Sequence, residues 1–315
     1  MKQDFKTEEL KAELERGLGF RLRSLTRLDG ARAFNFKAVR DSDGFAFAVK
    51  CVPPNDRLGL FTHLLDHLEV TKGTKAVRRV FEKECPPTFR GCRLVCMSWC
   101  DGVRMLPDEL TPEQFAVFLD DYRAFSDAMQ KTKLFLPHNP SVKWRREALA
   151  KCRGLGGRIL RRLLEEIPEE ELAYRGELLR IVHGDFHHGN FLFVDGRVAG
   201  YLDLEEFCQG YPTDDMMRYF CCAAEHLRWY EWGRKRRVLR QFARAVALLP
   251  YSRHEWLVAI NVRYVNRVFM RTGSRDRVGL WPALHLAFRA RFYREMRRIV
   301  QGRFGGSPVF PGQSR

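Results

Sequence analysis

The 315-residue chain contains no run approaching the eighteen or so consecutive apolar residues that a membrane-spanning helix needs. Its start, Met1-Lys2-Gln3-Asp4-Phe5, has no apolar core of the kind a secretory signal carries. These two absences predict a cytoplasmic protein. Cysteine occurs nine times but never as Cys-x-x-Cys, and Cys85, Cys92, Cys96 and Cys100 lack the paired spacing of a zinc site. The expectation is reduced thiols rather than a disulfide framework. Acidic residues become scarce late in the chain: from Arg218 onward there are 5, against 21 basic ones, while the 217 residues before it balance at 34 of each. The whole net charge of +16 therefore lies in the C-terminal third. Lys235 is its only lysine, so the excess is almost all arginine, the better bidentate partner for phosphate and carboxylate. No basic-aromatic groove and no nucleic-acid module accompanies it, so nucleic acid is not the expected partner.

What is present is concentrated between Ile181 and Asp203. Ile181-Val182 leads into a polar loop holding His183, Asp185, His187, His188 and Asn190. Two β-rich runs follow, 191–194 and 197–202, joined by Asp195-Gly196, the dipeptide that a type I′ hairpin turn prefers. Asp185 and Asn190 precede the hairpin and Asp203 ends it. Because a hairpin folds back on itself, the three oxygen-bearing side chains converge. Converging carboxylates repel unless a cation or a proton occupies the space between them. That arrangement suits phosphoryl transfer, with Asp185 accepting the proton of an attacking hydroxyl and Asn190 and Asp203 holding Mg²⁺ on the phosphates of ATP.

His183-Gly184-Asp185, then Asn190, then Asp203 eighteen residues after Asp185, resembles the catalytic and metal loops of the aminoglycoside phosphotransferase and choline kinase group. Their usual string is close to H-G-D-L-H-P-G-N; here Phe186 and His188 replace Leu and Pro. The resemblance implies an α+β, bilobal protein-kinase-like fold with a small antiparallel β lobe and a larger, mainly helical lobe. It also implies a hydroxyl-directed kinase using ATP and Mg²⁺. Asp185 would be the base, with His183 and Asp215 bracing the loop and Glu205 near the metal. Lipopolysaccharide core-sugar kinases also look like this group, and an arginine-rich acceptor lobe would suit a phosphorylated glycan, with peripheral contact at an anionic inner-membrane surface. A nucleotide-binding protein without turnover is the rival reading.

The N-terminal part fits the same picture. A short helix within 1–17 precedes strands over 20–28, 34–39 and 45–50. Lys50, near the end of the third strand, is placed by the resemblance to reach the α- and β-phosphates. The turn at 29–33 has Gly30 alone where protein kinases carry G-x-G-x-x-G. Glu69, or Asp66 one turn earlier, is the expected partner of Lys50 on the following helix. A strand over 93–99 becomes the hinge, whose backbone between Met97 and Cys100 would meet the adenine edge. The lobes are then 1–99 and 100–301, and the Gly-, Pro- and Ser-containing tail 302–315 is expected to be disordered.

Beyond the hinge, Thr111-Pro112-Glu113-Gln114 combines an N-cap, a proline at the first helical position and a capping-box partner. Phe115, Phe118, Leu119, Tyr122, Phe125 and Met129 then mark one helical face, read as core. Helical stretches are expected at 143–153 and 158–166 around a break at Gly154–Gly157. Another, 169–179, leads into the loop. Four more follow at 217–231, 234–249, 254–271 and 282–300. Arg263, Arg267 and Arg271, at i, i+4 and i+8, share one face of one helix. With that charge, the acceptor is expected to be a neutral or anionic small molecule or glycan rather than a polyamine.

Overall fold

The direction in which Lys50 points is set by strand alternation. In the computed structural model five antiparallel strands, β1 (Leu22–Arg27), β2 (Phe34–Arg40), β3 (Ala46–Val52), β4 (Thr88–Phe89) and β5 (Cys92–Ser98), form one sheet in the order β1-β2-β3-β5-β4. Successive side chains on a strand face opposite sides. Phe47, Val49 and Cys51 of β3 join Phe36 and Ala38 in a small core closed by Leu10 and Leu14 of α1 (Thr7–Leu18). Ala48 and Val52 belong instead to the main core, and Lys50 shares their face. The structure describes residues 7–28, 34–52, 64, 65, 68, 80, 88–131, 147, 149, 150, 154–228, 230–272 and 280–305. Gly30, Asp66, Glu69 and most of the expected 143–153 helix lie outside them.

After the sheet the chain becomes mainly helical. Thr111 caps α2 (Pro112–Gln130) as its sequence predicts: its hydroxyl accepts from the Gln114 N–H at 3.2 Å, and the Gln114 side chain accepts from the Thr111 N–H at 3.0 Å. The predicted stripe is core throughout, with Phe115, Phe118, Leu119, Tyr122, Phe125 and Met129 all buried. Helix α3 (Gly154–Glu165) begins at the glycines read as a break, which form its first turn. The expected helix at 169–179 is two separate 3₁₀ turns, Glu169–Glu171 and Gly176–Leu178. Strand β6 (Arg180–Val182) then enters the loop, β7 (Phe191–Val194) and β8 (Arg197–Tyr201) form the hairpin, and β9 (Cys208–Gly210) returns antiparallel to β6. Asp195 and Gly196 both have positive φ, 50° and 75°, as the type I′ turn requires.

Among the described residues four helices follow: α4 (Pro212–His226), α5 (Trp232–Leu248), α6 (Arg253–Thr272) and α7 (Leu280–Phe304). Helix α4 starts five residues before the expected position because Pro212 takes its first helical position and Asp214 accepts from the Tyr211 N–H at 2.8 Å. Helix α7 runs to Phe304, past the point where a disordered tail was expected to begin. No helix among the described residues is long and apolar enough to cross a membrane.

Candidate active site

The loop 183–190 is clamped from several sides. Its entry is held by Asp215 on α4, whose carboxylate accepts the backbone N–H of His183 at 2.9 Å and of Gly184 at 3.0 Å. Burial pushes the Asp215 carboxyl up to about 7 against the pull of these two amides. Tyr122 on α2 donates to the Pro212 carbonyl at 2.7 Å, which fixes the start of α4 beneath the loop. Gly184 has φ +78° and passes so close to Glu206 that only a residue without a Cβ fits. Phe186, fully buried, stacks on Phe191 at 4.8 Å and meets Tyr122 edge-on at 5.0 Å. The Phe186 ring thus anchors the loop in an aromatic core.

His183 is fully buried and ties the loop to the end of the hairpin. Its Nε2 lies 2.7 Å from the Leu202 carbonyl, and its Nδ1 accepts from the Asp185 N–H at 3.3 Å. These partners define the tautomer protonated at Nε2. Burial pushes the ring down to about 4, so it is neutral at physiological pH. Leu202 in turn donates its N–H to the Asn190 carbonyl at 2.7 Å. One backbone position between His183 and Asn190 therefore sets Asp203, the next residue. Asp203 has left-handed φ and ψ, 56° and 49°, a conformation that aspartate tolerates better than most residues.

Asn190 donates its amide to the Asp185 carbonyl at 2.9 Å and to Asp185 Oδ2 at 3.1 Å, leaving its own side-chain oxygen as the acceptor end. Lys50, only 2 % exposed, donates to both Asp203 Oδ1 and Glu205 Oε2. Burial raises the Glu205 carboxyl above its ordinary range in spite of that ammonium. Lys50 thus meets Asp203, Asp185 meets Asn190, and the Leu202–Asn190 bond joins the two pairs. Glu205, expected near a metal, shares Lys50 with Asp203. Met97 lies in β5 opposite Ala48 and Cys100 just beyond the strand, where Val103 exchanges hydrogen bonds of 2.8 and 2.9 Å with Phe193 of the hairpin.

Two neighbours of Asp185 were not anticipated. Arg218 of α4 forms an ion pair with Asp185 Oδ1 and donates to the Gly184 carbonyl at 3.0 Å. His187 turns its Nε2 toward Asp185 Oδ2 at 3.6 Å, while its Nδ1 accepts from the Gly189 N–H at 3.0 Å. Burial pushes the Asp185 carboxyl upward, but His187 and Arg218 together hold it below the ordinary carboxylate range. The available signal was the i, i+3 spacing of Asp215 and Arg218, which turns both toward the loop.

The acids and the amide fit a hard divalent cation. Lys50 already places a positive charge between Asp203 and Glu205. Among the described residues no three His, Cys, Asp or Glu side chains form a metal site by themselves.

A curled antiparallel sheet lobe with a larger helical lobe defines the protein-kinase-like fold. The chain belongs to the phosphotransferase enzyme family, whose model matches residues 24–256, and is a kinase acting on a hydroxyl group. Curated protein sequences give no match. Among solved structures it is similar to an aminoglycoside phosphotransferase from Alicyclobacillus acidocaldarius, with 14% identity and a TM-score of 0.68 over 96% of this chain and 98% of that one. A spectinomycin phosphotransferase in complex with ADP and spectinomycin is similar at 13% identity and TM-score 0.63, over 95% and 98%. The amicoumacin kinase hAmiN, in complex with AMP-PNP, Ca²⁺ and Ami, is similar at 12% and 0.61, over 93% and 96%.

Proposed function

We propose that the chain transfers the γ-phosphoryl group of ATP, with Mg²⁺, to a hydroxyl of a small molecule or glycan. The observation that carries this reading is the meeting of Lys50 with Asp203 beside the Asp185–Asn190 pair. The similar kinases seen with ADP, or with AMP-PNP and Ca²⁺, support a nucleotide donor, a divalent ion and a small-molecule acceptor. Asn190 and Asp203 would hold the ion, which supplies neutralisation of charge on the β- and γ-phosphate oxygens.

The chain's own groups do the rest. Lys50 leaves the two carboxylates and places its ammonium on the donor phosphates. Asp185, ionised because His187 and Arg218 oppose its burial, orients the acceptor hydroxyl and takes its proton as the bond to phosphorus forms. Its lowered basicity suits a loose transition state, in which the proton moves late. Asn190 keeps the Asp185 carboxylate aimed, and neutral His183 keeps Asp185 and Asp203 in register. Glu69, Met97 and Cys100 complete the proposal, Glu69 as the Lys50 partner once the phosphates are bound and the backbone from Met97 to Cys100 as the adenine contact. The boundary between the two lobes then falls at residues 99–100.

A phosphate-transfer screen with radiolabelled ATP over aminoglycosides, choline-like amines, sugars and glycolipids, with and without Mg²⁺, tests the reading. Mg²⁺-dependent labelling of one acceptor class is the expected result. Tight AMP-PNP binding with no transfer to any class would instead make the chain a nucleotide-binding protein.

A further inference from the structure

The acceptor side of Asp185 is unusually rich in cationic nitrogen. Arg218, Cys222 and Glu225 stand at i, i+4 and i+7 on α4, which lines them up on one stripe that starts at Asp185. Two helices meet that stripe with guanidinium groups. Arg263 of α6 donates to the Cys222 sulfur at 3.2 Å, Arg267 of α6 donates to Glu225 at 2.6 Å, and Arg289 of α7 lies 3.1 Å from the same carboxylate. Three arginines thus share Asp185 and Glu225, while among the described residues Arg263 makes no ion pair with a carboxylate. On the other flank His188 packs at 5.3 Å against His226, the last residue of α4, with His187 at 5.8 Å.

Three buried nitrogens in this region have no hydrogen-bond partner among the described residues: Nε of Arg218, Nε of Arg263 and Nδ1 of His188. Buried polar groups are nearly always paired, and an exception calls for a reason. The Arg218 guanidinium lies on Asp185 and that of Arg263 on Cys222, one turn further along α4, and two such orphan guanidinium nitrogens are what a planar or tetrahedral oxyanion would satisfy. We propose that Arg218 and Arg263 form an oxyanion-binding subsite for the acceptor. The molecule phosphorylated then carries a phosphate monoester or carboxylate near the reacting hydroxyl. In this scheme Arg218 rests on Asp185 until the anion draws it away, which frees the base only when the acceptor is in place. The inference rests on the kinase reading for its placement of the acceptor beside Asp185.

Calorimetric titration tests it with the protein saturated by AMP-PNP and Mg²⁺, so that the nucleotide phosphate positions are filled, using methyl phosphate and acetate as probes. Binding of at least one probe is expected, weakened tenfold or more in Arg218→Gln and in Arg263→Gln and less in Arg218→Lys. If methyl phosphate binds and acetate does not, the group is a phosphate monoester; the reverse result makes it a carboxylate. Absence of binding to the wild-type protein, or equal binding by the wild type and all three variants, overturns the subsite. Arg218→Lys and Arg263→Gln keep the test decisive should Arg218→Gln fail to fold. Failure of AMP-PNP to bind would sink the kinase reading alone. The titration is therefore repeated on nucleotide-free Lys50→Ala protein, where the anion result stands by itself.

Discussion

Lys50 and Asp203, 153 residues apart in sequence, are joined by a direct hydrogen bond, with Glu205 on the same ammonium. The contact closes the sheet onto the hairpin and holds two like charges together in a partly buried site. Asp203→Asn should therefore abolish Mg²⁺-dependent turnover, by a factor on the order of a thousand or more, because it removes charge from the ion site. The fold should survive, since asparagine also accepts the left-handed backbone that Asp203 adopts. Thermal denaturation alongside a turnover assay checks both halves. Undiminished turnover in this variant would take Asp203 out of the site.

Asp185 is assigned to the acceptor and not to the nucleotide, so binding and transfer should separate. Asp185→Asn should bind AMP-PNP within a few-fold of the wild type and lose phosphoryl transfer by a factor on the order of a hundred to ten thousand. Equilibrium binding and single-turnover transfer on the same preparation give the answer. A parallel fall in both would mean that Asp185 belongs with the metal.

His183 offers a pH test whose sign is fixed by burial. The unfolded ring takes up a proton as pH falls through about 6.5, whereas burial holds the folded ring neutral down to about 4. Stability contributed by the neutral ring is complete above 6.5 and is lost as pH falls toward 4, amounting to about 3 kcal/mol. Asp214 and Asp215, raised by burial to about 7, run the opposite way. The contribution is therefore read as the difference between wild type and His183→Asn across that range. Nuclear magnetic resonance of the ring provides a direct check, and a His183 titration near neutrality would contradict the buried, Nε2-protonated state.

The parts of this site that were legible in the sequence are those fixed by short-range rules. Asp195-Gly196 selects the turn, the turn sets the hairpin, and the hairpin returns Asp203 to Asn190. Period-two alternation sends Lys50 to the face opposite Phe47 and Val49. The capping box at Thr111 and the stripe from Phe115 to Met129 were readable for the same reason. Arg218 was not, because its contact with Asp185 depends on how α4 docks beneath a loop some thirty residues earlier. Helix α4 was misjudged at its start, where Pro212 and Asp214 act with Tyr211 through local hydrogen bonding that hydrophobic spacing does not register. The shared face of Arg263 and Arg267 could be predicted from i, i+4 spacing, but their partners Cys222 and Glu225 belong to another helix.

The tightest point in the site is Gly184, and it supports a test that separates local geometry from chemistry. A Cβ built there would lie 2.0 Å from the Glu206 carbonyl oxygen and 2.8 Å from its carbon, both backbone atoms, at a φ of +78°. The left-handed conformation alone costs alanine about 1 kcal/mol. The clash must also push the loop away from the turn at 204–206, which breaks the Gly184 N–H bond to Asp215 and shifts Asp185. Gly184→Ala should therefore lose about 3 kcal/mol or more, a magnitude reserved for core and backbone disruptions. Gly176→Ala is the matched control: a Cβ there meets nothing within 4 Å and φ is not positive, so its stability should change little or rise by a few tenths of a kcal/mol. Urea denaturation of the two variants beside the wild type makes the comparison. Equal stability of both would show that the loop yields at Gly184, and the close packing of the catalytic loop on Glu206 would then have no part in holding Asp185 in place.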